Sequence, residues 1–185
     1  MVVDEAIIHP TTLTRASNIV DSQLLSEAKE EAKRLSQHNI NPMGQSNTGC
    51  YRTILPQDGA DKLNAVCQII EEKLMQICSK KNIELMFGCE FWLNVNDKGS
   101  SNDSHAHYGS ALSGVYYLDA EETGPLVFHS IHKSMGTTSY CDDNQVNFEI
   151  EPADNSMVIF PSWAMHSVSE NVSDKQRICI AFNGR

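Results

Sequence analysis

The chain lacks the features that would mark a membrane protein, a nucleic-acid binder or a disulfide-stapled small domain. No apolar run approaches the ~20 residues needed to span a bilayer, and the mean hydropathy is -0.34. Positive charge is scarce: 14 Lys and Arg stand against 24 Asp and Glu, a net charge of -10. Phosphate backbones are held by basic surface, so this balance argues against a nucleic-acid partner. The six cysteines include no Cys-x-x-Cys pair. Several lie in apolar patterns, such as Cys67, Cys78 and Cys179, and read as buried reduced thiols of a cytoplasmic protein. The opening segment carries Asp4-Glu5 where a signal peptide is basic, so secretion is not expected. No repeat, low-complexity tract or linker divides the chain. At 185 residues, one domain spanning 1–185 is the expectation.

What is present divides into a helical part, about 11–80, and a strand-rich part, about 82–185. A short strand is expected at Ala6-Ile7-Ile8, ended by Pro10. Asp21 to His38 places Leu24, Ala28, Ala32 and Leu35 on one helical face, with Glu30 and Arg34 spaced for an i,i+4 pair. Asn41-Pro42-Met43-Gly44 breaks this helix, and a polar loop is expected to about Gln57. A second helix, about Gly59–Lys80, carries the stripe Leu63, Val66, Ile70, Leu74 and Ile77, with Asp58 or Asp61 as the expected cap. Beyond it the period changes. Ile83–Val95 is β-rich, and Asp97–Asn102 has the composition of a turn. Strands are expected at about 112–119, 125–129, 146–150, 157–161 and 176–182. Helices followed by many short strands predict a mainly β fold, an antiparallel jelly roll backed by helices.

The most informative residues are histidines. His105 and His107 are one residue apart beside the run Leu112–Leu118, and His166 follows the run Met157–Pro161. In an extended chain, positions i and i+2 face the same side. His105 and His107 can therefore reach one metal ion, and His166 can cap the same face while opposite positions stay open. Arg177 lies 11 residues beyond His166, inside the last apolar strand. From residue 101 onward it is one of four basic side chains, against eleven acidic ones. A buried guanidinium requires full hydrogen bonding or an anionic partner, the partner being either an internal carboxylate or a ligand. Other candidates read as structural. His129 and His132 are expected at the surface, Trp163 in the core, and Asn102 in the loop presenting His105. Asn94, near Trp92, faces the barrel interior or acts as a structural amide.

Taken together, His105-x-His107, Ser113–Leu118, Thr123–Phe128, Phe160–Val168 and Arg177–Asn183 resemble the 2-oxoglutarate/Fe(II)-dependent dioxygenase superfamily. More narrowly, they resemble a bacterial and phage family in which an Asn…His-x-His segment precedes an SGVYYL-type strand. The resemblance covers about 85–185. It implies a double-stranded β-helix, with Fe(II) as metal and 2-oxoglutarate as cosubstrate. It implies His105 as first ligand, His166 as distal ligand, Arg177 as the partner of the distal carboxylate of 2-oxoglutarate, and Tyr117 as a second donor to that carboxylate. Asn94 joins them as a cofactor-side residue. His107 stands where the superfamily has a carboxylate, and Asp103 and Asp119 are the nearby carboxylates that could take its place. No catalytic side chain is expected beyond the ligands. The implied activity is hydroxylation of a small molecule or a protein side chain. The alternatives are a three-histidine dioxygenase that does not use 2-oxoglutarate and a non-catalytic jelly-roll binding protein.

Overall fold

The computed structural model describes residues 11–38, 47–130 and 147–185. The strand expected at Ala6–Ile8, the break at Asn41–Gly44, and His132 and Cys141 lie outside the described residues. No helix described is long and apolar enough to cross a membrane.

Two helices form as the periodicity predicts. Helix α1 spans Ser22–His38 and is capped by Asp21, whose Oδ1 accepts the Leu24 amide at 2.9 Å. Helix α2 spans Asp61–Lys81 and buries Leu63, Val66, Ile70 and Leu74. Neither Asp58 nor Asp61 caps it: the cap position is Ala60, with no side-chain bond. The carboxylate comes instead from α1. Glu31 Oε2 accepts the Lys62 and Leu63 amides, each at 2.9 Å. A negative group on the first free amides of a helix also suits its dipole. Arg34 does not pair with Glu30; it reaches Glu31 at 3.7 Å and donates to the Gly59 carbonyl at 2.7 Å.

The strands form one antiparallel sheet: β1 Thr14–Ser17, β2 Asn47–Leu55, β3 Cys89–His105, β4 Leu112–Asp119, β5 Leu126–His129, β6 Asn147–Ile150, β7 Ser156–Pro161, β8 His166–Val168 and β9 Arg177–Gly184. The order is β1-β7-β4-β9-β3-β8-β5-β6, with β2 also on β3. Strand β3 is the hinge of this curled sheet. Its first half, Cys89–Asn96, pairs with β9, while Asn102 and His105 pair with β8. With the helices against one face, this is the helix-backed jelly roll that the sequence predicts.

Three expectations need correction. The polar loop ending near Gln57 is largely strand β2, which among the described residues pairs with β3 alone; such an edge strand needs no hydrophobic alternation. Residues 83–88 are not strand, which begins at Cys89. The turn-like Asp97–Asn102 lies inside β3. There the pairing jumps from Cys50↔Asn96 to Thr48↔Ser101, so residues 97–100 bulge opposite Gly49. The bulge is pinned by Ser100 Oγ on the Gly49 carbonyl at 2.8 Å, and by Gly99 N on the Asn171 carbonyl at 2.7 Å.

Alternation along the strands sorts side chains between two cores. Leu93, Val95, Tyr116, Leu118, Ile178, Ile180 and Phe182 pack on the helix side with Leu63, Ile70 and Leu74. Tyr117, Val158, Phe160 and Cys179 pack inside the curl with Leu126, Phe128 and Ile150. The same parity carries Asn94, Asn96 and Arg177 to the inner face, where they line the cavity.

Asn155 locks the N-terminal segment to this sheet. Its Oδ1 accepts Ile19 N at 3.0 Å, Val20 N at 3.1 Å and Tyr116 Oη at 3.0 Å, and its Nδ2 donates to the Val20 carbonyl at 2.8 Å. Its φ of 53° suits asparagine. Asn155→Ala strands buried donors and strains the backbone. A loss of about 2–4 kcal/mol is expected, read as a lowered urea midpoint with an unchanged slope. An unchanged midpoint would remove Asn155 from its role as a lock.

Candidate active site

His105, His107 and His166 converge. Each offers a ring nitrogen, and these atoms lie within 4.8 Å of one another. The ring centroids are 5.0 Å apart for His105–His107, 4.3 Å for His105–His166 and 5.2 Å for His107–His166. The registry explains the convergence: His105, the last residue of β3, pairs directly with His166, the first of β8. The His107 amide then donates to the Ser162 carbonyl at 2.8 Å, which ties the second histidine to the segment that leads into the third.

Two carbonyls orient the rings. His105 Nδ1 donates to the Asp103 carbonyl at 2.7 Å, and His166 Nδ1 to the Ala164 carbonyl at 2.8 Å. A carbonyl only accepts, so the proton sits on Nδ1 and leaves Nε2 with a free lone pair. This is the support that metal-binding imidazoles characteristically receive. Burial and the neighbouring His105 push His107 down to about 4 and His166 down to about 3. Both rings are therefore neutral near pH 7. Neutral imidazole is the ligand form, and a cluster of three suits a divalent transition metal.

The carboxylates weighed for the position of His107 are elsewhere. Asp103 contributes its backbone carbonyl and leaves its side chain exposed. Asp119 faces α1, 3.5 Å from Lys29 and 3.4 Å from Lys33.

The histidines line a cavity of about 570 Å³ shared with Arg177, Tyr117 and Asn94. Arg177 is 2 % exposed. Its Nη1 donates to the carbonyls of Thr123 at 3.0 Å and Gly124 at 3.2 Å. Its Nη2 is buried with no hydrogen-bond partner, and among the described residues no carboxylate pairs with it. The internal ion pair weighed from the sequence is therefore not formed. Asn96 Nδ2 is likewise buried and unpartnered, and Asn96 is the cross-strand neighbour of Arg177. Two unspent donors side by side at one end of a cavity fit an anion such as a carboxylate. Burial raises the Tyr117 phenol well above its ordinary value, which keeps its hydroxyl protonated as a donor. Asn94 is hydrogen-bonded to the Cys179 thiol, which burial holds up at about 11.

Sequence reasoning missed Asn96, although Asn94-x-Asn96 repeats the i,i+2 spacing of the histidine pair. It also missed Arg52 on β2, which lies in a segment taken for loop. Trp163 is 53 % exposed rather than core, because it sits in the turn closed by Ala164 N on the Pro161 carbonyl. His129 takes no part in the cluster. Its ring is held by Ser167 Oγ at 2.8 Å and Asn147 Oδ1 at 3.0 Å.

Comparison with known proteins gives a family and a shared fold. The family model described as "Putative 2OG-Fe(II) oxygenase" matches residues 90–183, half of the chain. No curated protein matches. Solved structures share the fold at low identity. A prolyl-4-hydroxylase from Pseudomonas putida is 15% identical, with a TM-score of 0.73 over 94% of this chain and 91% of that one. A prolyl hydroxylase from Trichoplax adhaerens, solved with a hypoxia inducible factor peptide, is 15% identical, with a TM-score of 0.70 over 93% and 82%. The viral collagen prolyl hydroxylase of Paramecium bursaria Chlorella virus-1, solved as its 2OG complex, is 12% identical, with a TM-score of 0.64 over 92% and 94%.

The lowered histidine values set a pH dependence. The folded chain binds fewer protons than the unfolded chain between the ordinary histidine value of 6.5 and the folded values of about 4 and about 3. Their contribution to stability is complete above 6.5 and is lost as pH falls through that window. The metal-free protein should therefore lose more stability between pH 7 and pH 4 than its His166→Gln variant, as read by urea unfolding. Parallel curves for the two proteins would contradict the burial argument.

Proposed function

Because this chain belongs to the 2OG-Fe(II) oxygenase family, whose cofactors are Fe(II) and 2-oxoglutarate, we propose that it is a hydroxylase acting on a small molecule or a protein side chain. His105, His107 and His166 hold the iron, and Arg177, Tyr117 and Asn96 hold the distal carboxylate of 2-oxoglutarate. The whole chain acts as one oxygenase domain, with α1 and α2 backing the sheet that carries the site. The observation that carries this reading is a single cavity holding both three convergent imidazoles and a buried guanidinium with one nitrogen unspent.

The donor set fits the family's metal. Three neutral nitrogen donors from His105, His107 and His166 would hold a divalent ion such as Fe(II) and leave room for a chelating 2-oxo acid. When bound, Fe(II) and 2-oxoglutarate supply an oxidant from dioxygen, the 2-oxo acid leaving as succinate and carbon dioxide.

The chain's own residues do the remaining work. The carbonyls of Asp103 and Ala164 keep Nδ1 of His105 and His166 protonated, so Nε2 is presented with its lone pair. Phe128 and Phe160 pack on His166 at ring distances of 6.0 and 4.7 Å and exclude water from that side, which protects a reactive oxidant from quenching. Arg177 supplies an always-charged fork that lysine would not reproduce. The carbonyls of Thr123 and Gly124 fix its orientation and leave Nη2 for the ligand.

Two substitutions separate the two halves of the site. His166→Ala should abolish Fe(II) binding while far-UV circular dichroism stays unchanged. Arg177→Ala should keep Fe(II) affinity and weaken 2-oxoglutarate by at least tenfold, about 1.4 kcal/mol. The readout is anaerobic titration, following the visible charge-transfer band that forms only with both Fe(II) and 2-oxoglutarate. Metal binding without that band would instead indicate a three-histidine dioxygenase that does not use 2-oxoglutarate. Absence of metal binding would indicate a binding protein. Equal 2-oxoglutarate affinity in wild type and Arg177→Ala would remove Arg177 from the site.

A further inference from the structure

The cavity wall carries a buried hydrogen-bond relay that the reading above does not use. One row of residues crosses four strands beside the histidines. Phe160 on β7 is paired with Ser113 on β4, Ser113 with Asn183 on β9, and Asn183 with Glu90 on β3. Phe160 packs on the His166 ring at 4.7 Å. The neighbouring row on the same face carries Trp92, which lies 5.9 Å from the His107 ring. Asn183 and Glu90 line the same cavity as the histidines.

The relay fixes which way the Asn183 amide points. Ser113 and Ser162 are each 1 % exposed, and their hydroxyl oxygens are 2.8 Å apart. Ser113 Oγ donates to Asn183 Oδ1 at 2.7 Å, so Ser162 donates to Ser113 and both hydroxyl protons are used. With the amide turned over, Ser113 would donate to Ser162, and the buried Ser162 proton would have no acceptor among the described residues. Ser162 is itself anchored, because its carbonyl accepts the His107 amide at 2.8 Å. Asn183 thus spends Oδ1 on the fold. Its Nδ2 takes no partner among the described residues. Nor is it one of the sealed donors there, which are Asn96 Nδ2 and Arg177 Nη2. It opens on the cavity that Asn183 lines.

Position and neighbours define what this donor meets. Asn183 and Arg177 stand at opposite ends of β9, roughly 20 Å apart at the rise of a strand. A five-carbon diacid held at Arg177 does not reach that far, so Asn183 faces the substrate and not the distal carboxylate of the cosubstrate. Across the strands, Glu90 Oε2 pairs with Arg185 at 2.9 Å. Its Oε1 is left as an acceptor, and the pair as a whole is neutral. A neutral donor beside a carboxylate suits a neutral group, because Glu90 repels an anion. Cross-strand neighbours stand about 5 Å apart, which sets donor and acceptor side by side. A primary carboxamide has the matching edge, a carbonyl acceptor next to an N–H donor. A trans secondary amide turns those two groups to opposite sides, and an ester or ketone lacks the donor.

Resting on the oxygenase reading, we propose that the substrate presents a primary carboxamide at the Asn183 end of the cavity. Its carbonyl accepts from Asn183 Nδ2, and its N–H donates to Glu90 Oε1. Ser113 and Ser162 are positioning residues that hold the Asn183 amide. The carboxamide belongs either to a small molecule or to an asparagine or glutamine side chain of a protein.

The test uses protein loaded with Fe(II) and 2-oxoglutarate under anaerobic conditions, with binding read by isothermal titration calorimetry. The ligands are straight-chain primary amides of two to six carbons, for a small-molecule source, and the N-acetyl N-methylamides of asparagine and glutamine, for a protein source. Each is matched with the acid and the N,N-dimethylamide that replace its carboxamide. At least one primary amide should bind, at least tenfold more tightly than both of its matches. Asn183→Asp, which turns the donor into an acceptor at the same size, should weaken that amide at least tenfold. Glu90→Ala, at the half-exposed rim, should weaken it at least threefold, and it carries the test if Asn183→Asp does not fold. Iron and 2-oxoglutarate affinities, read from the charge-transfer band, should stay within twofold in both variants. No primary amide binding at millimolar concentration, primary amides binding no better than their matches, or unaffected amide binding in a folded variant would each overturn the proposal. A selective loss of 2-oxoglutarate affinity in Asn183→Asp would also overturn it, by assigning Asn183 to the cosubstrate. If the band fails to form in the wild-type protein, the oxygenase reading fails and this inference with it. A normal band without amide binding removes only the substrate assignment.

Discussion

Strand β3 hydrogen-bonds to β9 through Cys89–Asn96 and to β8 at Asn102 and His105, so one strand carries both ends of the cavity. Its first half brings Asn94 and Asn96 beside Arg177, and its last residue brings His105 beside His166. The change of partner is made by the bulge at residues 97–100, held by the Ser100–Gly49 and Gly99–Asn171 bonds. The placement of Arg177 and Asn96 relative to the three imidazoles is thus a property of one bent strand.

Burial does opposite things at the two ends. At the histidines it favours the neutral, metal-binding form. At Arg177 it cannot remove the proton, because guanidinium stays charged in proteins. Among the described residues the fold therefore holds a cation without a carboxylate partner and with an unspent donor, next to a second unspent donor on Asn96. A protein that needed only stability would have filled this space with apolar side chains or an internal carboxylate. On the proposed reading a ligand finishes the site, and the energy of binding it offsets a cost already built into the fold.

Much of this was legible in the sequence, and the exceptions have physical causes. Strands β4, β5, β7 and β9 show near-continuous apolar runs because both of their faces are covered, so they declare themselves. His105, His107, His166 and Arg177 were legible because spacing and strand context agreed. Strand β2 was hidden: as an edge strand with one face toward a polar cavity, it carries Asn47, Thr48, Arg52 and Thr53 and reads as loop. Arg52 was lost with it. The bulge was hidden because Asp97-Lys98-Gly99-Ser100 has the composition of a turn, whether or not the chain continues in a ladder. The cap of α2 was illegible in principle, since Glu31 reaches it from another helix and no local motif records that. Asn155 carries no local signal of its role, because its partners lie in the distant Asn18–Val20 segment and on Tyr116.

The central claim is that three imidazoles, without a protein carboxylate, form the metal site. It is tested most directly by X-ray absorption at the iron edge of the anaerobic protein loaded with Fe(II) and 2-oxoglutarate. The outer-shell scattering of imidazole rings counts them. The account predicts three, falling to two in His107→Ala with no carboxylate gained. Two imidazoles in the wild-type protein, with His107→Ala leaving the spectrum unchanged, would contradict it and return the third position to a carboxylate such as Asp103.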